Sequence, residues 1–169
     1  LDFGENKVQE AIEKWTEIKA NKPNIQLHMI GKLQTNKVKF AVKLFNYIHS
    51  VDSEKLAKKI SEEQQKVQRK LKIFIQVNIG DENQKSGIDI TKTSDLVIFC
   101  KKLNLNVVGL MCIPPEDIDP TNYFLEMNKI NKINNLKELS MGMSSDYIKA
   151  AQHNSTYLRI GSNIFGQRS

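Results

Sequence analysis

The amino-acid sequence predicts an α/β fold: a parallel sheet wrapped as a (β/α)8 TIM-type barrel, with the first βα unit lying upstream of residue 1. Three observations predict it. Short strands alternate with amphipathic helices along the chain, and the strands are almost continuously apolar, as in a sheet covered on both faces. Seven strand candidates occupy the 169 residues, one short of the eight that close such a barrel. An open, doubly wound sheet is the alternative, but no GxGxxG follows any strand.

Phe3, Gly4, Glu5 and Asn6 read as the tail of one strand. Val8, Ile12, Trp15 and Ile18 then recur at helical spacing, and Pro23 closes that helix. Residues 27–31 (LHMIG) form a short buried strand, and Val38, Ala41, Val42 and Phe45 mark the next helix. A strand at 47–51 leads into a lysine-rich helix opening at Asp52 or Ser53, with Leu56, Ile60 and Val67 on one face. A strand at 73–80 and a polar loop at 81–87 follow, then a helix around 96–103 and a strand at 107–113. Phe124, Met127 and Ile130 lie on a helix after a Pro-terminated loop; strands at 137–144 and 157–166, separated by a short helix, end the chain.

With 40% hydrophobic and 26% charged residues, the composition is that of one ordinary globular domain. No stretch approaches the ~20 apolar residues of a membrane span, and the first residues have neither the basic nor the apolar region of a signal peptide. A soluble cytoplasmic protein is expected. Cys100 and Cys112 fall in a helical and a strand pattern as buried small hydrophobes, without metal or redox spacing. The net charge of +6 comes from lysines scattered through every segment, with arginine only at positions 69, 159 and 168. Neither a basic stripe nor an aromatic stacking motif points to nucleic acid. The many Asn and Ile residues read as a nucleotide bias of the genome.

Polar residues and glycines gather at strand ends, where barrels build their sites: Asn6, Gly31, Asn78, Gly142 with Ser144, and Arg159 with Gly161 and Ser162. Gly142-Met-Ser144 and Gly161-Ser162-Asn163 each lead into a helical turn, so that free N–H groups would converge as an anion site on the last two strands. The plainer reading is that Ser144 or Ser145 caps a helix and Gly161 eases a turn. The loop at 81–87 has Lys85 where a calcium loop needs a ligand, and is set aside. His28, His49 and His153 are far apart in sequence, and His28 reads as a satisfied interior group.

Seven segments in order carry a resemblance: FGEN with VQE (3–10), HMIGKLQTNK (28–37), HSVD (49–52), QVNIGDENQKSGI (76–88), GLMCIPP (109–115), LSMGMSSDY (139–147) and RIGSNIFGQR (159–168). The chain resembles the pyridoxal phosphate homeostasis proteins, whose barrel is like the N-terminal domain of alanine racemase. The resemblance implies pyridoxal 5′-phosphate as cofactor. It implies that Asn6 borders the cofactor, that Ser144, Gly161 and Ser162 hold its phosphate, and that Arg159 faces the pyridine nitrogen. Where the family commonly has Thr after RIG, this chain has Ser162 and keeps the hydroxyl. The family's Schiff-base lysine lies on the strand upstream of FGEN, before residue 1; Lys7 and Lys37 begin helices and match other family positions. An arginine at the ring nitrogen makes the ring a weak electron sink. The expected protein is therefore a monomeric cofactor carrier without turnover, serving pyridoxal-phosphate-dependent apoenzymes. A racemase-like enzyme is the alternative, and a basic interaction module a third reading.

Overall fold

The computed structural model describes residues 1–82 and 84–166. Asn83 of the polar loop, and Gln167 and Arg168 of the last motif, lie outside the described residues, as does Ser169.

Seven strands form one sheet in chain order, every neighbouring pair parallel. They are β1 (Asp2–Glu5), β2 (Gln26–Met29), β3 (Tyr47–Val51), β4 (Lys72–Val77), β5 (Asn106–Cys112), β6 (Glu138–Met143) and β7 (Tyr157–Arg159). Between them run α1 (Val8–Asn21), α2 (Val38–Leu44), α3 (Glu54–Lys66), α4 (Thr93–Lys102), α5 (Thr121–Ile133) and α6 (Tyr147–Gln152), and α7 (Ser162–Phe165) follows β7. The architecture is the expected TIM-type barrel, nearly closed; among the described residues no ladder joins β7 back to β1.

The last strand is shorter than its apolar run suggests. Its ladder with β6 ends at the Met143–Arg159 pair, and residues 162–165 are helical rather than extended. The partner strand sets this limit, because Asp146 Oδ1 accepts the Met143 N–H at 2.6 Å and turns the chain out of the sheet. β4 likewise stops at Val77, short of 80.

The pleat sorts strand residues into two layers. Leu27, Met29, Ile48, Ile73, Ile75, Leu110, Leu139 and Met141 pack outward against the helices, together with Ala11, Trp15, Val38, Ala57, Ile60, Val97 and Phe124. Tyr47, Phe74 and Met111 face inward with Tyr157. The Tyr157 ring meets Tyr47 at 5.7 Å and Phe74 at 5.3 Å between centroids, so β7 packs across the interior onto β3 and β4.

Four helices end alike. Gln68, Asn104, Asn135 and Asn154 follow α3, α4, α5 and α6 with φ of 51°, 58°, 52° and 65°. In each case the next residue donates its N–H to the carbonyl five residues back: Arg69 to Gln64, Leu105 to Cys100, Leu136 to Asn131, Ser155 to Ala150. These are Schellman terminations, which satisfy helix-end carbonyls and normally take glycine. Three of the chain's asparagines thus supply left-handed positions in a sequence with only 8 glycines, where composition alone suggested genome bias. The termination of α3 also aims Arg69 at the end of α2, where its guanidinium donates to the carbonyls of Val42 (2.7 Å), Lys43 and Phe45 (2.9 Å). A cation on the last carbonyls of a helix satisfies both hydrogen bonds and dipole.

Two outcomes are expected. Gln68→Gly relieves a left-handed glutamine worth ~1 kcal/mol, partly offset by a looser unfolded chain, and should raise Tm by ~1–4 °C. Arg69→Ala should lower stability by about 2 kcal/mol and Tm by ~4–8 °C, with Arg69→Lys recovering only part. Thermal unfolding followed by circular dichroism measures both.

Candidate functional site

Arg159 ends β7, two residues beyond inward-facing Tyr157, and so lies on the interior face of the barrel. Its Nη1 donates to Ser140 Oγ at 2.7 Å and its Nη2 to the Cys112 carbonyl at 2.8 Å. Among the described residues no carboxylate comes within ion-pair distance of it. Burial lowers the guanidinium from its ordinary value, against the pull of the Cys112 thiol and the Asp146 carboxylate. Arginine starts so high that it keeps its charge. A half-buried cation with no direct ion-pair partner keeps unused donor capacity and net positive potential. The end of β7 therefore favours an electron-rich or anionic guest. Burial pushes the neighbouring Cys112 thiol up to about 12, so it stays protonated and is no nucleophile.

The ends of β6 and β7 do meet. Ser144 Oγ accepts the Gly161 N–H at 3.2 Å, and Asn163 Nδ2 donates to the Ser144 carbonyl at 3.0 Å. Two expectations change here. The Gly161 amide is engaged by Ser144 rather than free, and Ser144 caps no helix, since α6 begins at Tyr147 and Asp146 holds the capping position. The amides of Ser162 and Asn163 donate to no acceptor among the described residues. Gly161 is exposed with φ −122°, and a Cβ built on it would meet nothing within 4 Å. Neither backbone nor packing requires glycine there; what it provides is open space where the two loops join.

The other candidates differ in kind. Gly142 has φ +94°, and a Cβ there would lie 2.5 Å from that of Ala150, so the turn and the packing of α6 account for it. Asn6 is exposed at the end of β1, and Gly31 packs so closely that a Cβ would lie 2.2 Å from the Asn6 carbonyl oxygen. No hydrogen bond among the described residues joins Asn6 to the β6–β7 pair. Asn78 bonds the backbone of Glu82 through both ends of its amide, at 3.0 and 3.3 Å, and orders its own loop.

The sequence reading missed the histidines. His28 and His49 lie on adjacent strands with ring nitrogens 2.9 Å apart, and His49 reaches Ser140, which carries Arg159. The available signal was the pleat: two ionisable residues at inward positions of largely apolar strands, His28 in QLHM and His49 in YIHSV. His153 lies apart, its Nδ1 2.7 Å from the Lys149 carbonyl oxygen. A groove of about 670 Å³ beside Thr35, Asn36, Glu54 and Lys58 sits on the helical layer, where Lys59 pairs with Glu62 and Glu63. Its lining is mixed in sign, with no concentration of positive charge such as Arg159 brings to the strand ends.

An unpaired guanidinium, two free amides and the space above Gly161 fit a ligand that combines an anionic group with an acceptor nitrogen. Known proteins point the same way. A family model described as alanine racemase, N-terminal domain, matches residues 2–169. The pyridoxal phosphate homeostasis proteins of Aquifex aeolicus and Vibrio cholerae are each 36% identical over 98% of this chain, and the match covers 76% and 75% of their own lengths. PipY of Synechococcus elongatus, solved both without PLP and with PLP bound, superposes with a TM-score of 0.89 at 34% identity, covering 97% of this chain and 81% of that one. Seven parallel strands, the motifs along their ends and these matches agree: the chain belongs to the pyridoxal phosphate homeostasis protein family, built on the alanine racemase N-terminal domain.

Proposed function

We propose that this chain binds pyridoxal 5′-phosphate at the ends of β6 and β7 and serves the homeostasis of that cofactor as a carrier, without turnover of its own. The observation that carries this reading is Arg159, a half-buried cation with two N–H groups committed inward and no carboxylate within ion-pair distance among the described residues. The names of the curated relatives and the PLP-bound form of PipY support the choice of ligand.

In this reading the phosphate meets the Ser162 and Asn163 amides and the hydroxyls of Ser144 and Ser162, around Gly142 and Gly161. Ser144 Oγ accepts from Gly161, which leaves its own hydrogen free to donate outward. Asn6 borders the ring from the end of β1. When bound, the cofactor supplies an aldehyde and an electron-withdrawing ring. Arg159, always protonated, donates to the ring nitrogen and keeps it unprotonated. Chemistry that builds charge on a substrate carbon favours a carboxylate at that position, so a donor there suits storage rather than turnover. The protein acts as one domain and a monomer in the cytoplasm, releasing cofactor to pyridoxal-phosphate-dependent apoenzymes. Among the described residues no helix is long and apolar enough to cross a membrane.

Charge-assisted hydrogen bonds contribute ~1.5–3 kcal/mol each, and 1.4 kcal/mol is tenfold in affinity. Ser144→Ala should therefore weaken pyridoxal phosphate binding roughly tenfold or more and weaken inorganic phosphate in parallel. Fluorescence titration with both ligands, with melting of ligand-free protein as control, measures it; a variant that melts earlier yet binds both as the parent does overturns the site. A racemisation assay on amino acids should read no turnover, and measurable turnover would establish the racemase-like alternative.

A further inference from the structure

Five polar side chains form one unbroken row through the barrel. Asp2 Oδ1 lies 3.0 Å from His28 Nε2, and His28 Nδ1 lies 2.9 Å from His49 Nε2. His49 Nδ1 lies 2.8 Å from Ser140 Oγ, which accepts from Arg159 Nη1 at 2.7 Å. The row draws on β1, β2, β3, β6 and β7, so it crosses the interior rather than following the sheet.

The two ends fix the direction of every proton. A guanidinium only donates, so Ser140 Oγ is an acceptor toward Arg159. The single hydrogen of Ser140 has one other neighbour among the described residues, His49 Nδ1, which must accept it. His49 then carries its proton on Nε2 and donates to His28 Nδ1; His28 carries its own on Nε2 and donates to the Asp2 carboxylate. The reverse order would aim a lone pair of His28 at that carboxylate and strand the Ser140 hydrogen. The surroundings keep both rings neutral. Burial first, then His28 and Arg159, hold His49 well below the usual histidine range. Burial and Lys72 lower His28 against the opposing pull of Asp2. Tyr47 stacks on His28 at 4.0 Å and Phe74 on His49 at 4.3 Å, with the edge of Tyr157 against His49, which locks the ring planes.

We propose that His49 and Ser140 are positioning residues for the cofactor site: the proton-ordered row holds Arg159 by Nη1 and leaves its outer N–H groups to the bound ring. This rests on the function proposed above, and the Cys112 carbonyl anchors the second guanidinium nitrogen.

Imidazole ¹H–¹⁵N spectra of the ligand-free, histidine-labelled protein near neutral pH should show His28 and His49 both neutral with the proton on Nε2. A proton on Nδ1 of His49, or a charged ring at either position, overturns the row. His49→Phe should then weaken pyridoxal phosphate at least tenfold while inorganic phosphate binds as in the parent, because the phosphate end of the site is untouched. His49→Asn, whose amide oxygen can still accept from Ser140, should recover part of the loss. Ser140→Ala should give the same split between ligands and serves should His49→Phe not fold. Unchanged pyridoxal phosphate affinity in the variants, or equal loss of both ligands, overturns the positioning role. A parent that binds no pyridoxal phosphate overturns the proposed function instead, and the imidazole spectra still decide the row.

Discussion

Every strand of the sheet runs parallel to its neighbours, and a parallel pair cannot be joined by a tight turn. Each strand must hand over to a helix that returns the chain to the same starting edge. All C-terminal strand ends therefore open on one side of the barrel, whatever the intervening sequence. This brings Gly142 and Ser144 beside Arg159 and Gly161 although 15 residues or more separate the two groups in the chain. The Schellman terminations serve the same constraint from below: a left-handed residue after α3, α4, α5 and α6 turns the chain sharply enough to enter the next strand.

Within that frame the two faces of the sheet carry different burdens. The outer face is apolar and packs on helices, whereas the inner face holds His28, His49, Ser140 and Arg159 among aromatic rings. Buried polar groups are tolerated when each has a partner. The row from Asp2 through His28, His49 and Ser140 meets that condition up to the guanidinium at its upper end, which is bonded on two nitrogens and has no ion-pair partner among the described residues. The imbalance sits where the loops open, and the outward-facing donors of Ser162 and Asn163 lie on the turn that follows.

The architecture was legible because the strands are apolar on both faces and the helices are apolar on one, so the period of the pattern changes visibly along the chain. Arg159, Ser144 and Gly161 were legible as polar residues at strand ends. The boundary at Arg159 was not, since an apolar run says nothing of where its ladder partner turns away. The capping reading of Ser144 failed for a related reason: its hydrogen-bond partner, Gly161, lies 17 residues on and is near only in the folded barrel. The histidine row escaped because it joins five strands and depends on which nitrogen holds each proton. Arg69 was hidden among surface cations; its role depends on three carbonyls at the end of a different helix.

The described strands are held together in two ways. Six strand pairs are bound by backbone ladders, whereas β7 meets β2 and β3 across the interior through side chains: Tyr157 packs against Tyr47, to whose hydroxyl its own donates at 3.4 Å, and, 5.8 Å between centroids, against His28. A ladder resists shear because sliding breaks hydrogen bonds in register, whereas stacked and edge-on rings slide with little loss. The short strand that carries Arg159 is thus pinned on its β6 side, where Ser155 Oγ donates to the Met141 carbonyl at 2.6 Å, and through Arg159 to the Cys112 carbonyl of β5. The loop at Gly161 is tied to the same rim, through its own N–H on Ser144 Oγ and through Asn163 on the Ser144 carbonyl, so the two loops that frame the end of the barrel move as one body.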